Sequence, residues 1–434
     1  MKVNIFGLGY VGCVSAACLA ESGHQVTGID IDPSKVAMIN EGCCPIVEPG
    51  LGELVERTVA ARRLQASISP PERADVSVIC VGTPSCENGS LDLSHIDHVT
   101  AQIGAYLGRL DSYHVVNVRS TVLPGTVEKR LIPLLEAHSG KRAGVDFGLC
   151  MNPEFMREGS SVEDFFTPSF TLIGELDPAS GDIVAALYQH IQAPLHRTKI
   201  RVAEMHKYVC NSFHALKVCF SNEIGNICKT VGIDSHEVMR LVCMDTKLNI
   251  SPSYMKPGFA FGGSCLPKDL RALTYKARQL DLETPLLNSI MESNRNQIDV
   301  AYKLIARTEK KRIGVVGLSF KPGTDDLRDS PVVELIERLL GKGYQVKVYD
   351  EEVFWARLFG SNKRYIESVI PHISTLMDRS LECVIEKSEI VLIAKSYRSP
   401  EPSLEKLLRS KPVIDLVRIG SPTSPNGHYQ GICW

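Results

Sequence analysis

One cysteine of this chain stands among neighbours suited to covalent chemistry. It is Cys265, in the segment F-G-G-S-C-L-P-K-D, and it is one of 14 cysteines in 434 residues. Gly262 and Gly263 allow an unusual backbone conformation and leave room for a ligand to approach. Lys268 and Asp269 add a cation and a carboxylate nearby in sequence. Because a nearby cation favours the reactive thiolate, we expect Cys265 to be a nucleophile.

The remaining cysteines show no comparable setting. Cys43 and Cys44 are adjacent and no C-x-x-C pair occurs, so we expect free thiols in the cytoplasm and no metal site. The net charge of -2 gives no basis for binding nucleic acid or an anionic membrane. No segment reaches the ~20 consecutive apolar residues of a membrane helix. We therefore expect neither nucleic acid nor membrane as a partner.

A second cluster of chemistry-bearing residues opens the chain. Gly7-x-Gly9-x-x-Gly12 follows a short apolar strand and begins a helix, and Asp30 ends the next strand. In that context the glycines allow a tight turn, close approach of a pyrophosphate, and close helix–sheet packing. The helix N-terminus offers unpaired N–H groups to the phosphates. Asp30 can accept hydrogen bonds from a ribose and would repel a 2′-phosphate, so NAD is favoured over NADP.

Two threonines follow later apolar runs in the same half. Thr83 comes after the run at residues 75–81, and Thr121 after the run at residues 114–118. Ligands bind at the carboxyl ends of parallel strands, so both are candidate NAD contacts. The alternative is that each hydroxyl caps its own turn.

The elements that must position these residues alternate between strand and helix. This pattern predicts an α/β protein with two doubly wound, Rossmann-like domains. The second domain is predicted from strands at residues 312–318, 344–349 and 388–394, with a helix at 332–340. Its first turn is longer and lacks the closing glycine. We therefore expect the second domain to hold something other than a standard dinucleotide.

A long helix is predicted between the two domains, at residues 203–232, with more helical sequence to residue 307. At about 30 residues it would be roughly 45 Å long, enough to bridge two domains. Helical periodicity places polar side chains on one face: Lys207, Asn211, His214 and Asn222. A second face is apolar: Met205, Val209, Phe213, Leu216 and Phe220. The polar face either lines a cleft or simply meets solvent.

Together, an NAD domain and a nucleophilic cysteine suggest oxidation through an aldehyde. The Cys265 thiolate would add to the aldehyde to form a thiohemiacetal. A second hydride transfer would give a thioester, and water would release an acid. The alternatives are a two-electron dehydrogenase in which Cys265 is structural, and a catalytically inactive sensor or interaction protein.

Several motifs, in order from residue 7 to residue 331, resemble the nucleotide-sugar 6-dehydrogenases. They are G-L-G-Y-V-G, V-G-T-P, R-S-T-V-L-P-G-T, N-P-E-F, E-M-H-K-Y-V-C-N, N-E-I-G-N, F-G-G-S-C-L-P-K-D and G-L-S-F-K-P-G-T-D-D-L-R-D-S-P. Others, including I-V-E-P-G-L, A-G-V-D-F-G, K-L-N-I-S and the final G-I-C-W, are similar to members that oxidise GDP-mannose. The alternative within the family is a UDP-glucose or other UDP-sugar 6-dehydrogenase.

This resemblance implies an architecture and a reaction. It implies an NAD domain at residues 1–202, a central helix with a helical dimerisation region at 203–300, and a nucleotide-sugar domain at 301–434. It implies four-electron oxidation of GDP-mannose at C6 to GDP-mannuronate, with two NAD per substrate, for alginate synthesis. It also implies a homodimer, possibly a higher oligomer, whose sites draw on both chains.

The resemblance also assigns roles to residues. Cys265 would be the nucleophile and Lys207, with Asn211, would bind the oxyanion at C6. Asp269 and Thr121 would position a water, and Glu154 would assist as base. NAD contacts would be Gly7, Gly9, Tyr10, Val11, Gly12, Asp30, Lys35, Thr83, Thr121, Lys268 and Arg328. Nucleotide-sugar contacts would be Glu158, Lys207, Asn211, His214, Asn222, Tyr254, Lys256, Phe259, Gly262 and Lys321.

For several of these residues an ordinary structural role is the alternative. Lys207 alone would be read as an exposed helical lysine, and Glu154 as an acid at a helix start. Arg328 and Lys321 could pair with aspartates of their own loop. The chain also departs from the family pattern S-R-Y-Y-M-R-P-G-F, with Ser253 for a tyrosine and Lys256 for an arginine. Lysine cannot reproduce a bidentate guanidinium contact.

Overall fold

The computed structural model describes most of the chain and divides it into two compact units. The described residues are 1–88, 90–251, 253–254, 257–263, 266–319, 327–353, 366–396, 411–419 and 429–433. The first unit is Met1–Ala215 and the second is Leu216–Trp434.

The first unit is built on an eight-stranded sheet with the order β3-β2-β1-β4-β5-β6-β7-β8. Its strands are β1 (Lys2–Phe6), β2 (Gln25–Ile29), β3 (Leu64–Ser67), β4 (Val76–Ile79), β5 (Val115–Val118), β6 (Gly148–Met151), β7 (Thr171–Glu175) and β8 (Leu195–Lys199). Neighbouring strands are parallel except β6 and β7, which are antiparallel. The change of strand order at β1 creates a crevice at the carboxyl ends of β1 and β4, where α/β proteins bind ligands.

Helices cover both faces of this sheet. They are α1 (Tyr10–Glu21), α2 (Pro33–Asn40), α3 (Leu51–Ala60), α4 (Ser94–Leu107), α5 (Ile132–Ser139), α6 (Ser161–Phe166) and α7 (Pro178–Ala186). A short π-helical segment, Val127–Leu131, leads into α5. Alternate residues of β1 point to opposite faces: Ile5 packs in the cluster with α1 and α3, and Phe6 packs in the cluster with α4 and α5. Apolar residues on both faces therefore bury the central strands β4, β5 and β6 completely, as is usual for parallel sheets, whereas the edge strand β8 is mostly exposed.

The longest helix, α8 (Ile200–Thr230), has 31 residues and contains the boundary between the two units. Its polar and apolar faces agree with the 3.6-residue periodicity of the sequence. The predicted bounds, 203–232, are close to the observed ones.

The second unit contains a five-stranded parallel sheet with the order β10-β9-β11-β12-β13. These strands are β9 (Arg312–Val316), β10 (Gln345–Tyr349), β11 (Ile390–Ile393), β12 (Val413–Asp415) and β13 (Tyr429–Gly431). The helices are α9 (Ser235–Met244), α10 (Leu266–Gln279), α11 (Pro285–Ala306), α12 (Pro331–Gly341), α13 (Ile373–Leu376) and α14 (Leu381–Glu386). The end of α11 and the apolar face of α12 share one core cluster with β9 and β10.

The predicted fold class is confirmed, because both sheets are Rossmann-like and a long helix lies between them in the chain. The predicted strands at 75–81 and 388–394 are each shorter, at Val76–Ile79 and Ile390–Ile393. Within the described residues, no helix combines the length and the apolar character needed to span a membrane.

Candidate active site

The glycine-rich turn between β1 and α1 has the geometry of a phosphate site. Gly7 has φ +93°, which favours glycine, and a Cβ on Gly12 would lie 1.8 Å from the Gly7 carbonyl oxygen. A Cβ on Gly9 would meet nothing within 4 Å, so the turn is open to a ligand at this point. Gly9 is the N-cap of α1 and has no side chain to occupy the free N–H groups. These groups therefore fit a pyrophosphate.

Asp30 anchors this turn from the end of β2. The backbone N–H of Leu8 donates to Asp30 Oδ2 at 2.6 Å, and that of Asp32 donates to Oδ1 at 2.9 Å. Lys35 Nζ lies 3.7 Å from Oδ2. The carboxylate is thus held at the rim of the crevice with a cation beside it, a position that suits a ribose.

A cavity of about 420 Å³ opens at this turn. Gly7, Gly9 and Asp30 form its polar end, and apolar side chains such as Ile31 and Ile68 form a wall. Both isoleucines are more than half exposed, at 85% and 63%. An apolar wall beside a carboxylate and open N–H groups suits an adenine, its ribose and its phosphates in turn.

Tyr10 and Val11 lie in the first turn of α1, and Tyr10 belongs to a buried network. Its hydroxyl donates to Glu48, whose carboxylate also accepts the N–H of Gly159 at 2.9 Å and of Ser161 at 2.7 Å. Burial alone would raise the pKa of Glu48, but these hydrogen bonds outweigh it and lower the pKa to about 2. Glu48 thus fixes the turn before α6 against the start of α1.

Thr83 and Thr121 meet beyond the ends of β4 and β5. The Thr83 hydroxyl donates to the Thr121 carbonyl oxygen at 2.7 Å. This contact ties together the two segments that follow these strands.

Lys207 and Glu154 form a close, buried ion pair. Lys207 Nζ lies 2.8 Å from Glu154 Oε1 and donates a second hydrogen bond of 2.8 Å to the Glu154 carbonyl oxygen. Their side chains are 9% and 12% exposed. This burial excludes the alternative of an exposed helical lysine, because Lys207 turns inward to the segment after β6. The N–H of Met156 holds the other carboxylate oxygen at 2.8 Å.

Aromatic rings and a second carboxylate fix the surroundings of this pair. Lys207 Nζ lies 5.5 Å from the centroid of the Phe155 ring, and that ring packs edge-on against His206. One turn before, Glu204 accepts the N–H groups of Gly125 at 2.6 Å and Val127 at 2.9 Å. Burial raises the pKa of Glu204 despite these donors. The start of α8 is therefore held against the segment that follows Thr121.

The other predicted residues of the first unit and of α8 are exposed. Asn211, His214 and Asn222 lie on α8 beyond Lys207, and Glu158 lies in the turn before α6. All four side chains are available to a ligand.

In the second unit, the segment around Gly262 closely approaches the turn that carries Arg328. A Cβ on Gly262 would lie 2.3 Å from the Asp329 carbonyl oxygen, so glycine is required. Arg271 Nη2 lies 2.7 Å from Asp329 Oδ2. Asp329 is thus paired with Arg271, and Arg328 is half-buried.

Lys268 and Asp269 lie in the first turn of α10 and face solvent. Lys268 Nζ lies 3.1 Å from Asp269 Oδ1, and the side chains are 68% and 71% exposed. Tyr254 is 82% exposed and has φ +63°, whereas Phe259 packs against the core of the second sheet. Cys265, Lys256 and Lys321 lie outside the described residues.

Sequence reasoning missed residues that support the site from beneath. Besides Glu48, Arg119 is buried and donates to Asn152 Oδ1 at 2.7 Å and to the Tyr188 hydroxyl at 2.9 Å. Asn152 begins the N-P-E-F segment, so this network sits under Glu154. Both Glu48 and Arg119 lie inside motifs quoted above. Membership of those motifs is the one feature of the sequence that points to a role for them.

Four cysteines of the first unit are buried and have unreactive thiols. Burial raises the pKa of Cys13, Cys18, Cys80 and Cys150 to about 12. A thiol with so high a pKa carries almost no thiolate at neutral pH.

Comparison with known proteins gives a consistent result along the whole chain. The UDP-glucose/GDP-mannose dehydrogenase family matches in three parts: the NAD binding domain at residues 1–192, the central domain at 201–296 and the UDP binding domain at 314–422. The first match covers the glycine turn, the cavity and Glu154.

Individual proteins agree with this match. The chain is 52% identical to GDP-mannose 6-dehydrogenase of Pseudomonas putida, over 100% of both chains. It is 39% identical to a UDP-glucose 6-dehydrogenase of Haloferax volcanii, over 81% of this chain and 83% of that protein. A crystal structure of a ternary complex of GDP-mannose dehydrogenase from Pseudomonas aeruginosa superposes with a TM-score of 0.95, at 49% identity and 100% coverage of both chains.

Proposed function

The chain belongs to the UDP-glucose/GDP-mannose dehydrogenase family and has its NAD-binding domain, and we propose that it oxidises GDP-mannose at C6 to GDP-mannuronate. Full-length similarity to GDP-mannose 6-dehydrogenases carries this choice of substrate. Similarity to a UDP-glucose enzyme is lower and covers less of the chain.

The buried pair supports a role for Lys207 in the first oxidation. An ammonium has three donors, and two of them are taken by Glu154. The third can stabilise the C6 alkoxide that forms as the alcohol passes its proton to water. Asn211 lies one turn further along α8 and would add a polar contact to the same oxygen. NAD, when bound, accepts a hydride in each oxidation.

The second half of the reaction is assigned to Cys265. Its thiolate adds to the aldehyde carbon and forms the C–S bond of a thiohemiacetal, which is then oxidised to a thioester. A water positioned by Asp269 and Thr121 attacks the thioester carbon, and Glu154 accepts its proton. The C–S bond breaks, the thiol is regenerated, and a carboxylate is released. Four electrons leave the sugar in total.

The nucleotide-sugar contacts are proposed along α8 and in the second unit. Exposed Asn211, His214 and Asn222 fit hydrogen bonding to a sugar, and the close approach of Gly262 to Asp329 fits a compact loop at the site. We retain residues 1–202, 203–300 and 301–434 as the proposed domains.

Dimerisation through α8 is proposed from its apolar face. Met205, Val209, Phe213, Leu216 and Phe220 are between 37% and 51% exposed. A row of exposed apolar side chains on one helix is typical of an interface, and a second copy of this chain fits the family. We further propose that the enzyme works in the cytoplasm and that its product supplies alginate synthesis, which deletion of the gene would test.

The decisive experiment is a substrate panel with product counting. GDP-mannose should give two NADH per sugar, and UDP-glucose should give little or none. Activity with UDP-glucose alone would replace the proposed substrate. One NADH per sugar with a free aldehyde would indicate a two-electron dehydrogenase, and no turnover with any sugar nucleotide would indicate a sensor.

A further inference from the structure

The two sheets contain the same turn at the same place. In the first, the N–H of Gly7 donates to the carbonyl oxygen of Ile29 at 2.8 Å. In the second, the N–H of Gly317 donates to the carbonyl oxygen of Tyr349 at 2.8 Å. Gly317 has φ +101°, close to the +93° of Gly7. The two crevices can therefore be compared residue by residue.

The acidic residue at the end of the second strand is also equivalent. The N–H of Leu8 donates to Asp30 Oδ2 at 2.6 Å, and the N–H of Leu318 donates to Asp350 Oδ2 at 2.7 Å. By this criterion the second sheet possesses the carboxylate that holds a ribose in dinucleotide sites. The second turn keeps only the first glycine of the fingerprint, since Ser319 and Pro322 stand where Gly9 and Gly12 stand in the first.

The two crevices differ at the residue that follows the third strand. β4 pairs with β1 as β11 pairs with β9, which makes Val81 equivalent to Lys395. A Cβ on Gly7 would lie 2.9 Å from Val81 Cγ1, and a Cβ on Gly317 would lie 2.4 Å from Lys395 Cβ. Val81 lines the open cavity of about 420 Å³. Lys395 instead directs an ammonium across the second crevice.

The Lys395 side chain occupies space in that crevice, and its ammonium also pairs with the carboxylates there. Its Nζ lies 2.6 Å from Asp350 Oδ1, 2.8 Å from Glu352 Oε2 and 3.0 Å from Ser319 Oγ. Ser319, which replaces Gly9, is fully buried, and Lys395 is 1% exposed. Asp30 and Asp350 both accept backbone N–H groups, but Asp350 also accepts the Lys395 ammonium at 2.6 Å and so has little capacity left for a ribose.

We propose that Lys395 is a specificity-determining residue. Its side chain fills the part of the second crevice that a dinucleotide would occupy, and its ammonium neutralises the Asp350 carboxylate that would hold the ribose. Buried charges are stable only when paired, and here the partner of the ammonium is the same carboxylate that a dinucleotide needs. Each chain consequently binds one NAD, in the first unit. This inference does not depend on which sugar nucleotide is the substrate.

The first test counts bound NAD by equilibrium dialysis. Wild type should bind one NAD per chain, and two per chain would overturn the proposal. The double variant Lys395→Val with Ser319→Gly installs the residues equivalent to Val81 and Gly9 and should bind a second, weaker NAD. Its matched control, Lys395→Met with Ser319→Gly, removes the charge but keeps the volume and should bind one. A folded Lys395→Val double variant that still binds one NAD would refute the role of Lys395.

If the double variants do not fold, a reciprocal pair of substitutions in the first crevice tests the same proposal. Val81→Lys places an ammonium opposite Asp30 and should weaken NAD binding by at least about 100-fold, whereas Val81→Met should weaken it by less than about tenfold. Circular dichroism and the melting temperature confirm that each variant is folded. Equal effects of the two substitutions, or undiminished NAD binding by folded Val81→Lys, would overturn the proposal.

Discussion

At the scale of single residues, Lys207 shows how a side chain combines structure and chemistry. Two of its donors hold Glu154 in place, and the remaining donor is the one proposed for the substrate. Since both side chains are buried, loss of either leaves an unpaired charge.

Lys207→Met should therefore lower kcat by about 100- to 1,000-fold, the usual cost of losing one donor to a developing oxyanion. NAD affinity should change little, because the cavity at the glycine turn is lined by other residues. Stopped-flow or steady-state NADH formation measures kcat, and dialysis measures NAD binding. Lys229→Met, an exposed lysine on the same helix, is the matched control and should retain full activity. Equal activity in both variants would exclude the proposed role of Lys207.

Cys265→Ser tests the covalent step directly. Net turnover should fall by at least about 1,000-fold because an alcohol is a far weaker nucleophile than a thiolate. NAD binding should survive. Cys43→Ser is the control, since Cys43 is an exposed thiol remote in sequence from the motif. Unchanged turnover in Cys265→Ser would show that the cysteine is structural.

How much of the site could be predicted from the sequence depends on how far apart the contacting residues lie in the chain. Asp30 and the glycine turn form one local pattern, so their contact could be anticipated from spacing and chemistry. Lys207 and Glu154 are 53 residues apart, and no periodicity relates a helix face to a particular strand end. Their roles came from motif resemblance, and their direct contact was found only in the structure.

At the scale of elements, Glu48 links the start of α1 to the turn before α6. Sequence patterns predicted α8 well because apolar residues that recur with a 3.6-residue period are a strong signal of a long amphipathic helix. They did not show that β7 runs antiparallel to β6, since strand direction depends on pairing with distant residues. The sequence did not predict the Glu48 network either, because its partners Tyr10, Gly159 and Ser161 lie far from Glu48 in the chain.

Glu48→Gln should destabilise the protein by about 1–3 kcal/mol at pH 7, since a buried hydrogen-bonding group loses its charge. The pKa of Glu48 is about 2 in the folded state against an ordinary 4.5. Its contribution is therefore complete above about pH 4.5 and is lost as the pH falls towards 2. Denaturant titrations at several pH values should show the two proteins converging in acid. Glu53→Gln, on the exposed side of α3, should behave like wild type throughout, and a gap that persists unchanged to pH 2 would contradict this account.

At the scale of the whole molecule, the apolar face of α8 should determine the oligomeric state. Phe213→Asp or Val209→Asp should weaken the dimer by about 10- to 100-fold, because a charge would be buried at the interface. Sedimentation velocity measures the change, and Thr230→Asp, at the exposed end of the helix, is the control. If the site draws on both chains, activity should fall in parallel with the dimer. A dimer that survives both substitutions would place the interface elsewhere.

The arrangement of the first sheet has a consequence for protein synthesis. All eight of its strands lie between Lys2 and Lys199, so no later part of the chain is needed to complete it. Domains generally fold as units, N-terminal first, while the ribosome is still translating. The NAD-binding sheet can therefore form while the exposed apolar residues of α8 are still being added. Partner chains would then meet only after each nascent chain already holds the sheet and the cavity at its glycine turn.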